Sequence, residues 1–230
     1  IEVIPNGIHI YRPPVLTPFS QDLVALARHD VNKNLPALFR GIYQLQRQWP
    51  QWNGTLRIIG RGGRQTPLVK RLRDALPRPD QVELINALPQ SELVAVVRTS
   101  MALLSSSLEE GFDYPVLEAK AEGIPTLISD IPVHREFHSE SSLFFTLNDD
   151  GTALARGVID LCRESALWRQ LSLRGLELVQ SLSVERQVDA RLEGHDLVAI
   201  GREGLRELGE EAGRVGPLDH HRRVRPFGPE

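Results

Sequence analysis

The amino-acid sequence predicts an α/β fold in which a Rossmann-like parallel sheet carries helices on both faces. Short apolar runs alternate with segments whose apolar residues recur at helical spacing, and most of these runs end at glycine, proline or polar turn residues. Strands that alternate with helices form parallel sheets whose two faces are both covered. The 230 residues are enough for one large α/β domain or two small ones.

Seven segments are predicted as strands because they are short, apolar and bounded by turn signals. These strands are 1–4, 23–27, 56–59, 82–85, 101–105, 126–130 and 143–147. Helices are predicted between them at 35–49, 67–76, 90–98 and 115–122, with a further helix that opens after a turn at 131–136. After residue 147 the pattern predicts only helices, at 152–163, 166–180 and from 184 to about 200.

Composition excludes several classes of protein. The net charge of −3 gives no footprint for binding nucleic acid, and no apolar run approaches the length of a membrane span. Cys162 is the only cysteine, so an internal disulfide is excluded, and its apolar surroundings indicate a buried hydrophobe rather than a nucleophile. The chain opens at Ile1 without a secretory signal, and we expect a cytoplasmic protein, with peripheral attachment at the inner face of the membrane left open.

Two carboxylates eight positions apart, Glu110 and Glu118, mark the most informative stretch. Pro115 between them is suited to the first turn of a helix, which places Glu110 in the preceding loop and Glu118 about one turn inside. The N–H groups of 111–114 then face the same space as the positive end of the helix. Carboxylates accept hydrogen bonds from sugar hydroxyls and N–H groups donate to phosphate oxygens, so the pattern favours a ligand rich in both.

The stretch that follows strengthens this interpretation. Gly123 suits the position just after a helix, and a short buried strand and a second helix come next. A strand, a polar loop, a helix and another strand place ligands at the carboxyl ends of a parallel sheet. Taken alone, Glu110 and Glu118 would be read as a helix cap and a solvated surface residue.

Residues 105–137 resemble the donor-binding signature of the family 4 retaining glycosyltransferases, which have the two-domain GT-B fold. That signature has the form E-G-F-G-x-P-x-x-E-A, followed by G-x-P and a serine/aspartate turn that ends in glutamate. Asp113 stands where many members have glycine, and aspartate visits positive φ less readily. The matching residues are Glu110, Gly111, Phe112, Pro115, Glu118, Ala119, Gly123, Pro125, Ser129, Asp130 and Glu136.

The resemblance implies a role for Arg28 and Lys33, which follow the strand 23–27 and match the family's R-x4-K pair. In the family this pair holds the diphosphate of the donor, and an arginine fork with a lysine charge suits that anion. Asn34 replaces the usual glycine after the lysine and can serve as an N-cap. Without the Glu110 motif, Arg28 and Lys33 would be read as solvated loop charges.

The resemblance also assigns the other site residues. Glu118 would accept hydrogen bonds from the ribose, Glu110 would orient the donor sugar, and the N–H groups around Gly111 to Asp113 would bind a sugar hydroxyl or phosphate. Gly60, in a glycine-rich turn, would support the phosphates, and Asn86 would either read the base edge or stabilise its own turn. No metal is expected, because 149–150 lacks the spacer of a D-x-D motif and reads as a helix cap. His134 and Arg135 are expected on the surface of a short helix.

The resemblance covers roughly residues 1–195 and only the donor-binding half of a GT-B enzyme. We therefore expect a donor-binding domain at 1–200, a flexible charged tail at 201–230, and an N-terminal acceptor domain that is absent or supplied by another chain. The implied function is retaining transfer of a sugar from a nucleoside diphosphate sugar to a glycan or lipid-linked acceptor. No further cofactor is expected. The isolated donor-binding half would be inactive. A non-catalytic nucleotide-sugar-binding module and an epimerase-like half stay open as alternatives.

Overall fold

The computed structural model describes residues 2–5, 18, 20–182 and 197–200, and of 2–5 and 197–200 it describes only the backbone. The strands are β1 (Glu2–Pro5), β2 (Leu23–Leu26), β3 (Leu56–Ile59), β4 (Val82–Ile85), β5 (Ala102–Ser105), β6 (Thr126–Ser129), β7 (Leu143–Phe145) and β8 (Leu197–Ile200). The α-helices are α1 (Leu35–Gln48), α2 (Thr66–Asp74), α3 (Gln90–Thr99), α4 (Tyr114–Ala121), α5 (Pro132–His138), α6 (Thr152–Arg163) and α7 (Ser165–Ser181). Two 3₁₀ turns lie at Val31–Lys33 and Pro79–Gln81.

The main sheet has six parallel strands in the order β4-β3-β2-β5-β6-β7. The chain first moves outward from β2 to β4 and then crosses back to β5, so the order of strands reverses between β2 and β5. In open parallel sheets, ligands bind outside the carboxyl ends of the strands at such a switch point. The topology therefore predicts the position of a binding site before any side chain is considered.

Helices cover both faces of this sheet, as the sequence predicts. Helix α1 packs against α2 and α6, while α4 packs against α7. All residues of the central strands β5 and β6 are buried, which explains why these strands read as continuous rather than alternating apolar runs. Cys162 on α6 is partly buried, and burial raises the pKa of its thiol to about 12, so a reactive thiolate is not formed near neutral pH.

The C-terminal prediction is wrong at its end. Leu197–Ile200 forms the strand β8, which pairs in parallel with β1, instead of continuing a helix. The run Leu-Val-Ala-Ile has no helical period of its own, and pairing with a distant segment satisfies its backbone. The predicted helix between 184 and 196 and the predicted tail at 201–230 lie outside the described residues.

Two predicted helix ends are confirmed. Gly123 has φ 77° and donates to Lys120 O at 2.9 Å, while Ile124 N–H donates to Ala119 O at 2.9 Å, which is the Schellman arrangement at the end of α4. Asp149 accepts hydrogen bonds from Gly151 N–H at 2.9 Å and Ala153 N–H at 2.7 Å, so it caps α6. Within the described part of the chain, no helix is long and apolar enough to cross a membrane.

Candidate functional site

The candidate site lies at the switch point, where the loop after β2 meets the loop after β5. Three hydrogen bonds join these loops: Leu108 N–H donates to Asn32 O at 2.8 Å, and the Ser106 hydroxyl lies 2.8 Å from Lys33 O and 3.1 Å from Asn34 O. All three are accepted by main-chain carbonyl oxygens of the loop after β2. They therefore fix the loop after β5 relative to Lys33.

A compact charged cluster results from this junction. Lys33 Nζ lies 2.5 Å from Glu110 Oε1 and 3.7 Å from Asp113 Oδ1. The Ser107 hydroxyl donates to the same Glu110 oxygen at 2.6 Å. Lys33 and Glu110 keep 21% and 13% of their side chains exposed, so a ligand can reach them, whereas Asp113 keeps only 1%.

Asp113 occupies the position where the signature usually has glycine, and its backbone is left-handed with φ 48°. Its Oδ2 accepts hydrogen bonds from Ser105 Oγ at 2.6 Å and from His134 Nε2 at 3.1 Å. Burial alone would raise the pKa of Asp113, but the hydrogen bond from His134, the charge of Lys33 and the Ser105 hydroxyl outweigh it and hold this pKa below its ordinary value. The buried Asp113 side chain is therefore a charged support behind the loop.

His134 contradicts the expectation of a surface residue, because it is 0% exposed. Its Nδ1 lies 2.8 Å from Ser129 O and its Nε2 faces Asp113. Helix α5 begins only three residues after the fully buried strand β6 ends. One face of its first turn therefore packs against the carboxyl edge of the sheet. Arg135 agrees with the expectation; it is exposed and pairs with Asp130 at 2.6 Å.

Asn34 also differs from the predicted role. It lies just before α1, but its side chain makes no capping hydrogen bond. What the position requires is φ 44°, a left-handed conformation that asparagine adopts more readily than most residues other than glycine. The substitution of asparagine for glycine is thus explained by backbone conformation rather than by capping.

Arg28 and Gly60 lie side by side at the ends of β2 and β3. Arg28 is exposed and its Nε lies 3.3 Å from Asp30 Oδ2. A Cβ at Gly60 would overlap the carbonyl of Ala27 and come within 2.9 Å of Arg28 N. The close approach of these two strand ends therefore requires a glycine at 60, whatever ligand binds there.

The remaining predicted residues line the same edge. Glu118 is exposed about one turn inside α4, Gly111 is exposed before the helix, and Phe112 is buried against Tyr114 and Phe137 with ring centroids 5.6 and 5.0 Å away. Asn86 is exposed after β4, three strands from β5 in the sheet. At about 4.8 Å per strand the loops after β4 and β5 are roughly 14 Å apart.

Sequence reasoning assigned no role to the polar residues behind the loop. Ser105 and Ser129 are the last residues of β5 and β6, Ser107 follows β5, and His134 lies in the first turn of α5. The signal was available, since serine at the carboxyl end of an otherwise apolar buried strand points to a polar function at that edge. Among the described residues, no group of three or more His, Cys, Asp or Glu residues is placed to hold a metal ion.

The family comparison agrees with this geometry. Residues 20–164, more than half of the chain, match the family model described as "Glycosyl transferases group 1". The chain therefore belongs to the group 1 glycosyltransferases. This family was predicted from the Glu110–Glu118 signature, and that prediction is confirmed.

Curated relatives share parts of the sequence. A glycosyltransferase 1 domain-containing protein 1 of Xenopus tropicalis is 36% identical over 89 residues, which are 38% of this chain and 26% of the relative. A GDP-mannose:cellobiosyl-diphosphopolyprenol alpha-mannosyltransferase of Xanthomonas oryzae pv. oryzae is 27% identical over 155 residues, 65% of this chain and 40% of the relative. The chain thus spans well under half the length of these relatives.

Solved structures show the fold. TarM of S. aureus, in a complex that contains UDP, matches 81% of this chain and 38% of its own with a TM-score of 0.71 and 15% identity. The pneumococcal O-GlcNAc transferase GtfA, in complex with UDP and GlcNAc, matches 78% of this chain and 37% of its own with a TM-score of 0.64 and 17% identity. The predicted Rossmann-like half of a GT-B fold is confirmed.

Proposed function

We propose that this chain contains the donor-binding domain of a retaining glycosyltransferase that transfers a sugar from a nucleoside diphosphate sugar to a glycan or lipid-linked acceptor. The domain extends over 1–200, and a separate acceptor-binding domain completes the enzyme. The observation that carries the proposal is the contact between Lys33 and Glu110 across the switch point. Two residues 77 positions apart that match one donor-site signature meet where a parallel sheet binds its ligands.

The proposed roles follow the positions along the sheet edge. Lys33 and Arg28 neutralise the diphosphate, Glu110 orients the sugar, and Glu118 accepts the ribose hydroxyls. The N–H groups of Gly111 and Phe112 donate to a sugar hydroxyl or to phosphate, since they lie at the positive end of α4. Asn86 lies toward the base and Gly60 supports the phosphates, and both follow strands on the side of β2 away from Glu110.

Lys33 is held between two carboxylates before the donor arrives. A diphosphate that binds here replaces Glu110 as the partner of Lys33, and the released carboxylate then accepts a hydrogen bond from the sugar. Charge builds on the diphosphate as the glycosidic bond breaks, so Lys33 and Arg28 stabilise the leaving group most in the transition state. Two cations and a helix terminus supply this stabilisation without a metal ion.

Calorimetric titration with UDP, GDP, ADP and their sugar conjugates tests donor binding. We expect one base series to bind, and we expect Lys33→Ala and Arg28→Ala to weaken that binding by about tenfold to a hundredfold, as for other charge-assisted contacts. Lys33→Ala has the larger effect, because it also leaves two carboxylates facing the diphosphate. Glu118→Ala weakens binding less than Arg28→Ala.

Arg73→Ala serves as the matched control. Arg73 lies in the last turn of α2, and because α2 begins at the carboxyl edge of the sheet, its last turn is at the opposite end. Its guanidinium group pairs with the neighbouring Asp74 and with no other carboxylate of the part of the chain that the structure describes. Binding that falls equally in Arg73→Ala and Arg28→Ala, or stays unchanged in both site variants, would contradict the donor site.

Turnover is tested separately with the complementary acceptor domain present. We expect sugar transfer from the nucleotide that binds, with the anomeric configuration of the donor kept in the product, and no transfer by the donor domain alone. Binding without transfer in the complete protein would instead support a non-catalytic nucleotide-sugar module. Conversion of the free sugar nucleotide to an epimer would support the epimerase-like alternative.

A further inference from the structure

Asp113 and His134 form a buried pair directly behind the charged cluster. Both side chains are 1% exposed, and Asp113 Oδ2 lies 3.1 Å from His134 Nε2. The other ring nitrogen, Nδ1, lies 2.8 Å from the carbonyl oxygen of Ser129. A carbonyl oxygen only accepts hydrogen bonds, so Nδ1 must carry a hydrogen.

The proton count of this pair is constrained by its partners. With Nδ1 protonated, a neutral His134 would present a bare Nε2 to Asp113, and an ionised carboxylate also only accepts. One further proton must therefore lie between Nε2 and Oδ2. That proton joins Nε2 to Oδ2 in a hydrogen bond, and the lowered pKa of Asp113 favours the carboxylate form of its side chain.

Asp113 connects this pair to the surface of the site. Its second oxygen, Oδ1, is buried and accepts no hydrogen bond from any described residue, while Lys33 Nζ lies 3.7 Å away. The Asp113 charge therefore acts on the ammonium group that also binds Glu110. At the same residue the backbone turns with φ 48° into α4, a conformation that a residue other than glycine keeps only when its surroundings hold it.

We propose that His134 is a positioning residue of the donor site. By donating to Asp113 it holds the carboxylate that orients Lys33, and it fixes the left-handed turn that presents the N–H groups before α4. The expected effect of His134 on diphosphate binding rests on the proposed donor-binding function. Its effect on the loop before α4 can be measured without any ligand. It also assigns Asp113 a supporting role in place of direct contact with the donor.

The main test compares diphosphate with nucleoside binding. His134→Phe keeps a planar ring and removes both donors, so we expect UDP, GDP or ADP, whichever binds the parent chain, to bind about tenfold more weakly or worse. The matching nucleoside, titrated by NMR, should bind as before, because Lys33 and the loop before α4 contact only the diphosphate and sugar. His134→Gln, which supplies an amide donor at similar reach, should recover most of the affinity.

Two further variants separate positioning from general damage. His138→Phe is the matched control, because His138 is equally buried on the same helix but contacts Lys120 instead of Asp113. The double variant Asp113→Gly with His134→Phe removes the carboxylate that needs a donor and places glycine at the positive φ. The double variant should fold better and bind the diphosphate more tightly than His134→Phe alone. If His134→Phe is poorly folded, the double variant still allows the role of His134 to be tested.

Amide hydrogen exchange of the ligand-free protein gives the independent readout. We expect residues 109–114 to exchange faster in His134→Phe and at the parent rate in His138→Phe and His134→Gln. Equal exchange in all variants, or equal loss of nucleoside and diphosphate affinity, overturns the positioning role. If the parent chain binds none of the three nucleotides, the proposed function fails, and exchange at 109–114 alone decides the role of His134.

Discussion

Lys120 is a lysine enclosed by the fold, with 1% of its surface exposed. Its ammonium nitrogen lies 2.6 Å from Ser141 Oγ and 3.0 Å from His138 Nδ1, and neither group carries a negative charge that could offset burial. Burial therefore holds the pKa of Lys120 well below its ordinary value. Burial, with the nearby Lys120 and His134, lowers the pKa of His138 to about 2. Burial thus disfavours the protonated form of both groups in the folded chain.

This leads to a prediction for Lys120→Met. The unfolded chain keeps a proton on Lys120 up to about pH 10.5, whereas the folded chain releases it at a lower pH. Between these two pKa values the parent protein gains stability as pH rises, by up to about 1.4 kcal/mol per pH unit from this group. We expect the variant to lose that slope in the pH range just below 10.5 when unfolding is measured in urea. Lys70→Met, at an exposed position on α2, is the control and should keep the parent slope of unfolding free energy against pH. A parent-like slope in Lys120→Met would show that Lys120 is charged in the folded protein.

The backbone at Asp113 gives a second prediction at this scale. Replacement by alanine or by glycine removes the same carboxylate, so the two variants differ mainly in how they tolerate φ 48°. We expect Asp113→Gly to be about 1 kcal/mol more stable than Asp113→Ala, since glycine adopts this conformation without the Cβ clash. Denaturation midpoints compare the two directly, and a more stable alanine variant would contradict the left-handed turn.

At the scale of elements, the ends of neighbouring strands decide where the site loops lie. β2 and β3 pair along all four residues, and their ladder continues where Ala27 N–H donates to Ile59 O at 2.9 Å. On the other side of β3, Gly60 N–H donates to Ile85 O of β4 at 2.9 Å. The turn at Gly60 therefore packs directly under the Ala27–Arg28 backbone. A change in this contact therefore moves the backbone of Arg28, whose own side chain makes an exposed ion pair with Asp30.

Gly60→Ala should consequently affect both stability and the site. The added Cβ overlaps the Ala27 carbonyl, so β2 and β3 must separate at their ends, and we expect a loss of about 1–3 kcal/mol, typical of overpacking. Nucleotide binding should weaken too, because Arg28 moves. Gly62→Ala is the control in the same turn: its Cβ meets only Thr66 Oγ1 at 3.2 Å, so a change within about 0.5 kcal/mol is expected. Similar losses in both variants would argue against this close packing.

At the scale of the whole molecule, one core supports the site. The main hydrophobic cluster draws its buried residues from Leu23 through Leu171, including two enclosed tryptophans, Trp52 and Trp168. The Trp168 N–H donates to Met101 O at 2.8 Å, which ties α7 to the start of β5. A second small cluster around Phe112 and Leu117 joins the signature loop to α7 through Val179. The sheet that carries the site is thus enclosed by residues between 23 and 182.

We therefore expect a chain that ends at residue 182 to keep the six-stranded sheet. It lacks β8, so β1 loses its partner, but it retains the whole main cluster. Its thermal unfolding midpoint should lie within a few degrees of the parent value, and its nucleotide affinity should be unchanged. A large fall in the midpoint would mean that residues 183–230 contribute to the core that encloses the site.

The sequence by itself determined most of the sheet and the family. The predicted bounds of β3, β4 and α6 agree with the structure, because strand length, apolar period and caps are properties of short segments. The Glu110–Glu118 signature and the Arg28–Lys33 pair also lie within short segments, so they could be read directly.

Contacts between distant segments were decided only by the tertiary structure. The pairing of β8 with β1, the burial of His134 and the meeting of Lys33 with Glu110 each depend on a partner far along the chain. A local pattern states which residues prefer a helix or a strand, but not which distant surface will cover them. His134 shows the physical reason most clearly: a helix judged by its own seven residues looks exposed, and only packing against Asp113 and Ser129 makes its histidine part of the interior.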